Sequence, residues 1–403
     1  MVWGIFLIGN PELRKGEIEM LEFEDEFDCE ADIRVIGVGG GGSNATDHMA
    51  EAGLGGIDFI AVNTDAQALR MSSSSQKIQI GTKLTKGLGS GANPDIGREA
   101  ALEDREKITE VLKGADLVFI TAGLGGGTGT GAGPVIAEVA REVGALTVAV
   151  VTKPFLFEGR KRSLQAEFGL KELQDKVNTL LCIPNQKLFA LAGNETSFLE
   201  AFKMADDVLL QGIKAISDLI TVPGLINLDL ADVKTIIGEA GGALLGVGFG
   251  RGVDRARGAA EGAITCPLLE KADISGARGV LVNITGGPDL SLREVEEATN
   301  AIYELVDGNA NIIFGAVFDD SLKGEMKVTV LATGLNKGRG EEQLDLSLDS
   351  LPQLQAAEVV MPDRGGLFSR RKRKKKVAVP EGFIEETVLG NDLDIPTFIR
   401  WGK

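Results

Sequence analysis

The chain has 403 residues, a net charge of −17, 54 glycines and three cysteines, with 43% hydrophobic and 25% charged residues. That length admits two domains of ordinary size with some chain left over, and the acidic balance excludes a duplex-wide nucleic-acid surface, which needs a lysine and arginine footprint. Cys29, Cys182 and Cys266 are scattered, which excludes a disulfide framework and fits a reducing compartment; with His48 as the only histidine, zinc and serine-histidine chemistry are excluded too.

Residues 3–9 are apolar, but too few to span a bilayer and not preceded by cations, so a cytoplasmic location is expected. Met20 would serve equally well as a start, so the sequence leaves two starting points open, Met1 and Met20. Residues 17–32 carry nine acids and no basic side chain, so residues 1–32 read as a disordered acidic arm. From Ile33 the pattern alternates. Strands are predicted at 33–38, 57–62, 77–80, 115–121, 146–151 and 179–183, with helices opening at Ser43, Asp65, Asp95, Pro134 and Glu158. Apolar β runs separated by helices imply a parallel sheet covered on both faces.

Phe198, Phe202, Ala205, Leu209, Ile213, Ile216 and Ile220 recur at helical spacing, which predicts one long amphipathic helix as a spine. A second α/β unit follows, with helices near 232–245 and 254–264, a strand at 279–284, a helix at 291–306, and strands at 311–318 and 326–333. Residues 336–390 lose periodicity and carry seven consecutive cations, Arg370 to Lys376, so they read as a disordered linker. The apolar pattern returns in residues 391–403, as expected of a docking peptide.

Three glycine turns carry the chemistry. The run Gly123 to Gly133 follows a buried-type strand and precedes a helix; without Cβ atoms its N–H donors can converge on an anion, and the helix adds its positive end. The turn Gly37 to Gly42 matches G-x-G-x-x-G, with Asp58 and Asp65 at distances compatible with a ribose-binding acid, and alone it would suggest an NAD-dependent oxidoreductase. A third turn, Gly87 to Pro94, makes a triphosphate held along its length the better reading. No G-x-x-x-x-G-K-[ST] occurs, which excludes the ordinary P-loop NTPase.

The chain resembles the tubulin/FtsZ family of GTPases through Gly125-Gly126-Gly127-Thr128-Gly129-Thr130-Gly131, Asn63-Thr64-Asp65, residues 157–162, residues 227–232 and the tail Asp394-Ile395-Pro396-Thr397-Phe398. The resemblance implies a Rossmann-like parallel-sheet GTP-binding domain at 33–221, joined by the long central helix to an activation and assembly domain at 222–335 with its own mixed sheet. It implies GTP and GDP as ligands, with Mg²⁺ accompanying the triphosphate and no dedicated protein metal site.

Gly39, Gly40, Gly41, Gly42 and Gly125 to Thr130 would wrap the phosphates, and Gly91 and Ala92 would approach the terminal one. Glu158 and Arg162, four apart, would reach ribose and phosphate. A base stacked on Phe202 could donate N1–H and N2–H₂ to Asp206; only guanine offers that pair, and Asn44 and Asn185 would complete the site. Asp229 and Asp232 would enter the neighbouring subunit's site and polarise the attacking water, so head-to-tail filaments would be the active form, as expected of a cytokinetic ring at the bacterial midcell beneath the inner membrane. A non-hydrolysing scaffold of the same fold would lack one of these acids. Asp394, Ile395, Pro396, Phe398 and Ile399 would dock membrane-tethering and regulatory division proteins; no nucleic-acid partner is expected. Leu230 and Gly133 depart mildly from the family pattern, away from the chemistry.

Overall fold

Strands whose side chains are buried on both faces form the middle of a covered sheet. In the first half of the computed structural model these are β1 (Ile33–Val38), β2 (Ile57–Asn63), β3 (Gln76–Gln79), β4 (Leu117–Gly123), β5 (Leu146–Lys153) and β6 (Thr179–Pro184). Between them run α1 (Gly39–Glu51), α2 (Ala66–Met71), α3 (Thr82–Thr85), α4 (Pro94–Glu103), α5 (Arg105–Leu112), α6 (Thr128–Glu142) and α7 (Arg160–Gln174). Then come α8 (Asn185–Leu188), α9 (Phe198–Thr221), α10 (Leu230–Ile237), β7 (Gly241–Arg251), α11 (Arg255–Ile264), β8 (Gly279–Gly286), α12 (Leu292–Tyr303), β9 (Asn311–Phe318) and β10 (Glu325–Leu335). The structure describes residues 31–188, 196–221, 230–238, 241–266, 276–306 and 310–335. The acidic arm, Asp229, the basic run and the docking tail lie outside the described residues.

The strand order is β3-β2-β1-β4-β5-β6-β7-β10-β8-β9. Strands β1 to β6 pair in parallel, whereas β10 runs antiparallel to both β7 and β8, and β8 pairs in parallel with β9. The expected mixed sheet of the second unit is present, and it is joined edge-on to the first by Thr179↔Gly241, Leu180↔Gly242 and Leu181↔Ala243. The chain winds outward from β1 to β3, then returns to β4 beside β1 and winds the other way. Ligands bind at such a switch point, outside the carboxyl ends of the strands. Here it places the turns after β1 and β4 side by side, with Val38 opposite Ala122.

Ala205, Leu209, Ile213 and Ile216 of α9 bury their stripe against Val150, Leu181 and Leu245, so one helix packs on strands from both halves. At Gly212 a Cβ would come within 3.0 Å of Leu181 and 3.2 Å of Val150, which fixes how closely the spine lies on the sheet.

Several expectations need correction. Residues 241–245, read as helix, open strand β7, because glycines at 246, 248 and 250 give one strand face no side chains and let α11 settle on it. Helix α6 opens at Thr128 and holds Pro134 inside it, not at its start. Its early glycines explain this: a Cβ at Gly131 would lie 1.9 Å from the Pro94 carbonyl oxygen, so α6 and α4 meet backbone to backbone. Helix α1 starts at Gly39, four residues before Ser43. The short helices α3, α5 and α8 were not expected from the pattern.

Candidate nucleotide site

At the carboxyl ends of β1, β4 and β5 the turns enclose a cavity of about 370 Å³, within the roughly 300–1,000 Å³ typical of small-molecule sites. Gly40, Gly41 and Asn44 of α1, the segment Gly126 to Gly129, Glu158, Arg162, Asn185, Phe202 and Asp206 all line it. Added Cβ atoms at Gly40 and Gly126 would meet nothing within 4 Å, so there the backbone itself faces the open space.

Four expected residues stand behind this lining and hold it. Gly39 has φ +73°, and a Cβ there would lie 2.9 Å from the Gly129 nitrogen, so the two turns interlock. Gly42 packs on the Thr121 carbonyl, and Gly125 on that of Arg162. Thr130 Oγ1 accepts a hydrogen bond from the Gly125 N–H at 2.8 Å. Gly91 and Ala92 do not line the cavity; both are exposed and left-handed, with φ of +59°.

Sequence reasoning missed Ser90, the lining residue of that third turn. Its hydroxyl lies 3.0 Å from Thr128 Oγ1, which in turn lies 2.7 Å from Thr64 Oγ1, a buried hydroxyl chain tying the third turn to the start of α6. Thr152 and Pro154 also line the cavity unforeseen. Their signal was positional: they lie at or just beyond the carboxyl end of a parallel strand.

Beside the turn after β4, Arg162 donates to Glu158 at 2.6 Å while the Phe155 N–H donates to the same carboxylate at 2.8 Å. Phe202 meets Phe155 edge to face, with ring centroids 5.4 Å apart, and Phe155 stacks on Phe157 at 4.9 Å. Asn185 is 4% exposed, and its Oδ1 is buried with no hydrogen-bond partner; such an orphan costs about 1–3 kcal/mol unless a ligand satisfies it. Burial pushes the Asp206 carboxyl up to about 6, opposed by His48 and reinforced by Asp207. An orphaned amide oxygen and a half-buried carboxylate near it, with open backbone at the glycine turns, fit a ligand that carries N–H donors and anionic oxygens.

Asp65, a candidate ribose acid, instead caps α2, accepting from the Gln67 and Ala68 N–H groups at 2.8 and 3.2 Å. Asp58 lies near the amino end of β2, away from the turns. The dinucleotide reading therefore lacks its acid and is set aside. Asp232 is exposed on the first turn of α10 and does not line the cavity of its own chain. Among the described residues, no cluster of three His, Cys, Asp or Glu side chains could hold a metal ion.

A switch-point cavity floored by glycine turns and closed by one long helix is the architecture of tubulin-type nucleotide-binding proteins. Residues 32–193 match the model of the Tubulin/FtsZ family GTPase domain, and residues 241–336 that of the FtsZ family C-terminal domain. The chain is 49% identical over 381 residues to the cell division protein FtsZ of Pseudomonas aeruginosa, covering 94% of this chain and 92% of that one, and equally so to that of Azotobacter vinelandii. A solved structure described as an empty FtsZ dimer from M. jannaschii superposes with a TM-score of 0.73 at 45% identity, covering 76% of this chain and 89% of that one. CetZ2 of Haloferax volcanii, solved as a GTPγS-bound protofilament, is 22% identical with a TM-score of 0.64 over 76% of this chain and 94% of that one, and shares the fold. The chain belongs to the FtsZ family of tubulin-like GTPases, and it binds and hydrolyses GTP.

Proposed function

We propose that this GTPase polymerises head to tail into the filaments of a cytokinetic ring, beneath the inner membrane at midcell, and that each active site is completed by the next subunit. The observation that carries the reading is a division of labour. Among the described residues, the glycine turns that line the cavity offer backbone N–H groups and the hydroxyls of Ser90 and Thr128 but no acid, and the lining carboxylate Glu158 is already engaged by Arg162 and the Phe155 N–H. They can bind a triphosphate; they cannot polarise water. Asp232 stands exposed elsewhere on the same chain.

In this mechanism the turns after β1 and β4 hold the phosphates by converging N–H groups, and the third turn faces them through Ser90 rather than through Gly91 or Ala92. Glu158 and Arg162 position the ribose. Guanine lies against Phe202, gives N1–H and N2–H₂ to Asp206 and pairs with the free Oδ1 of Asn185. Asp229 and Asp232 of the partner subunit then orient water in line with the terminal phosphorus, which couples hydrolysis to assembly. The donors at the phosphate end suit anions, so Mg²⁺, which neutralises developing phosphate charge, would be held chiefly by phosphate oxygens and water. The tail residues Asp394, Ile395, Pro396, Phe398 and Ile399 would dock the tethering and regulatory proteins.

Asp229→Ala tests the shared site. The variant should bind GTP and form filaments while turnover falls about 100-fold, the lower range for loss of a group that activates water. Normal turnover in those filaments would refute the assignment.

A further inference from the structure

The lone histidine sits where the phosphate helix meets the base helix. His48 lies one turn beyond the cavity-lining Asn44 on α1, and its Nε2 is 3.4 Å from Asp207 Oδ1 on α9. The neighbouring Asp206 lines the cavity. His48 Nδ1 is buried without a hydrogen-bond partner. The imidazole thus stands between Asp207 and the helix that carries the cavity-lining Asn44. We propose that His48 is a positioning residue for guanine recognition: it offsets the charge of Asp207 and so keeps Asp206 available as the ionised double acceptor. This rests on the reading of Asp206 as the guanine acceptor.

The surrounding charges leave this triad to act by itself. Asp206 feels His48 and Asp207, the first stabilising its anion and the second opposing it. On α1, Asp47 is turned to the serine turn, accepting from Ser72, Ser73 and Ser74, and Glu51 is exposed, as are Arg70 of α2 and Lys203 of α9. Arg34 and Asp58 alternate to the opposite sheet face, where Arg34 pairs with Asp32. On α6, Glu138 and Glu142 are engaged by Lys176 and Arg105, and Arg141 by the Asp175 carbonyl.

The test is the pH dependence of GDP affinity, since GDP binds without being turned over. In the unmodified protein Kd should weaken as pH falls through about 6, where Asp206 takes up its proton. His48→Gln keeps an N–H near Asp207 but cannot carry a positive charge; its midpoint should rise by about one pH unit, giving about fivefold weaker binding near pH 6, approaching tenfold at lower pH, and near-normal binding at high pH. Asp207→Asn removes the opposing carboxylate, and its midpoint should fall. A role in packing alone would move neither midpoint, and an unmoved midpoint in either folded variant overturns the proposal. Asp206→Asn separates the two readings. If it binds GDP normally, the guanine assignment itself fails; if it weakens binding while His48→Gln leaves the midpoint in place, only the role of His48 fails.

Discussion

A Cβ added at Gly40 or Gly126 in the nucleotide-binding half would enter open space, whereas one added at Gly250 in β7 would lie 1.8 Å from the Arg255 carbonyl oxygen and one at Gly248 2.0 Å from that of Ala259. The same residue type serves opposite ends. At Gly40 and Gly126 glycine leaves a backbone bare for a ligand; at Gly248 and Gly250, as at Gly131 of α6, it lets two elements meet backbone to backbone.

Carboxylates divide in the same way. Asp206 borders the cavity with burial unfavourable to its charge. Glu294, by contrast, is held by Arg255 at 2.5 and 3.0 Å and accepts from the Ser291 N–H at 2.9 Å as it caps α12. Arg255, then the Ser291 bonds, depress Glu294 to about 2 against the cost of burial. An acid satisfied within its own chain maintains the fold. One left short of partners is available to a ligand.

The sharpest way to break this comparison is to add one methyl group on each side of it. Gly250→Ala should destabilise the protein by about 3 kcal/mol, the upper range for overpacking against a rigid backbone, seen as a drop in the urea midpoint. Gly126→Ala should change stability by about 0.5 kcal/mol or less yet weaken GDP about tenfold, equivalent to about 1.4 kcal/mol, by blocking the backbone's approach. Equal stability losses in the two would erase the distinction.

Titration gives a second contrast. The folded pKa of Asp206 is raised, so its stabilising contribution is present below about pH 4 and lost as pH rises through about 6. That of Glu294 is depressed, so its contribution is present above about pH 4 and lost as pH falls through about 2. GDP needs the ionised Asp206, so the rise in melting temperature it causes should be markedly smaller at about pH 5 than at about pH 8, matching about tenfold weaker binding. A pH-independent shift would remove Asp206 from the site. The smallest effect on stability belongs to the cavity rim: Arg162→Gln should cost about 0.5 kcal/mol or less, because Arg162 is half exposed and water screens its pairing with Glu158.

The parallel half was legible because buried strands and glycine turns declare themselves locally; β1 and α9 were foreseen nearly to the residue. Strand β7 was not. Its packing depends on α11, and Leu244 and Leu245 in isolation suit a helix as well as a strand. Ser90 escaped notice because its value lies in Thr64 and Thr128, 26 and 38 positions away in the chain, and Pro134 misled because contact with α4 outweighs its preference for a first turn.

The central claim, one site built by two subunits, is tested most directly by measuring phosphate release per subunit against protein concentration while light scattering reports assembly. Specific activity should be near zero in dilute protein, rise with assembly and level off once filaments dominate. A specific activity independent of concentration would contradict the account.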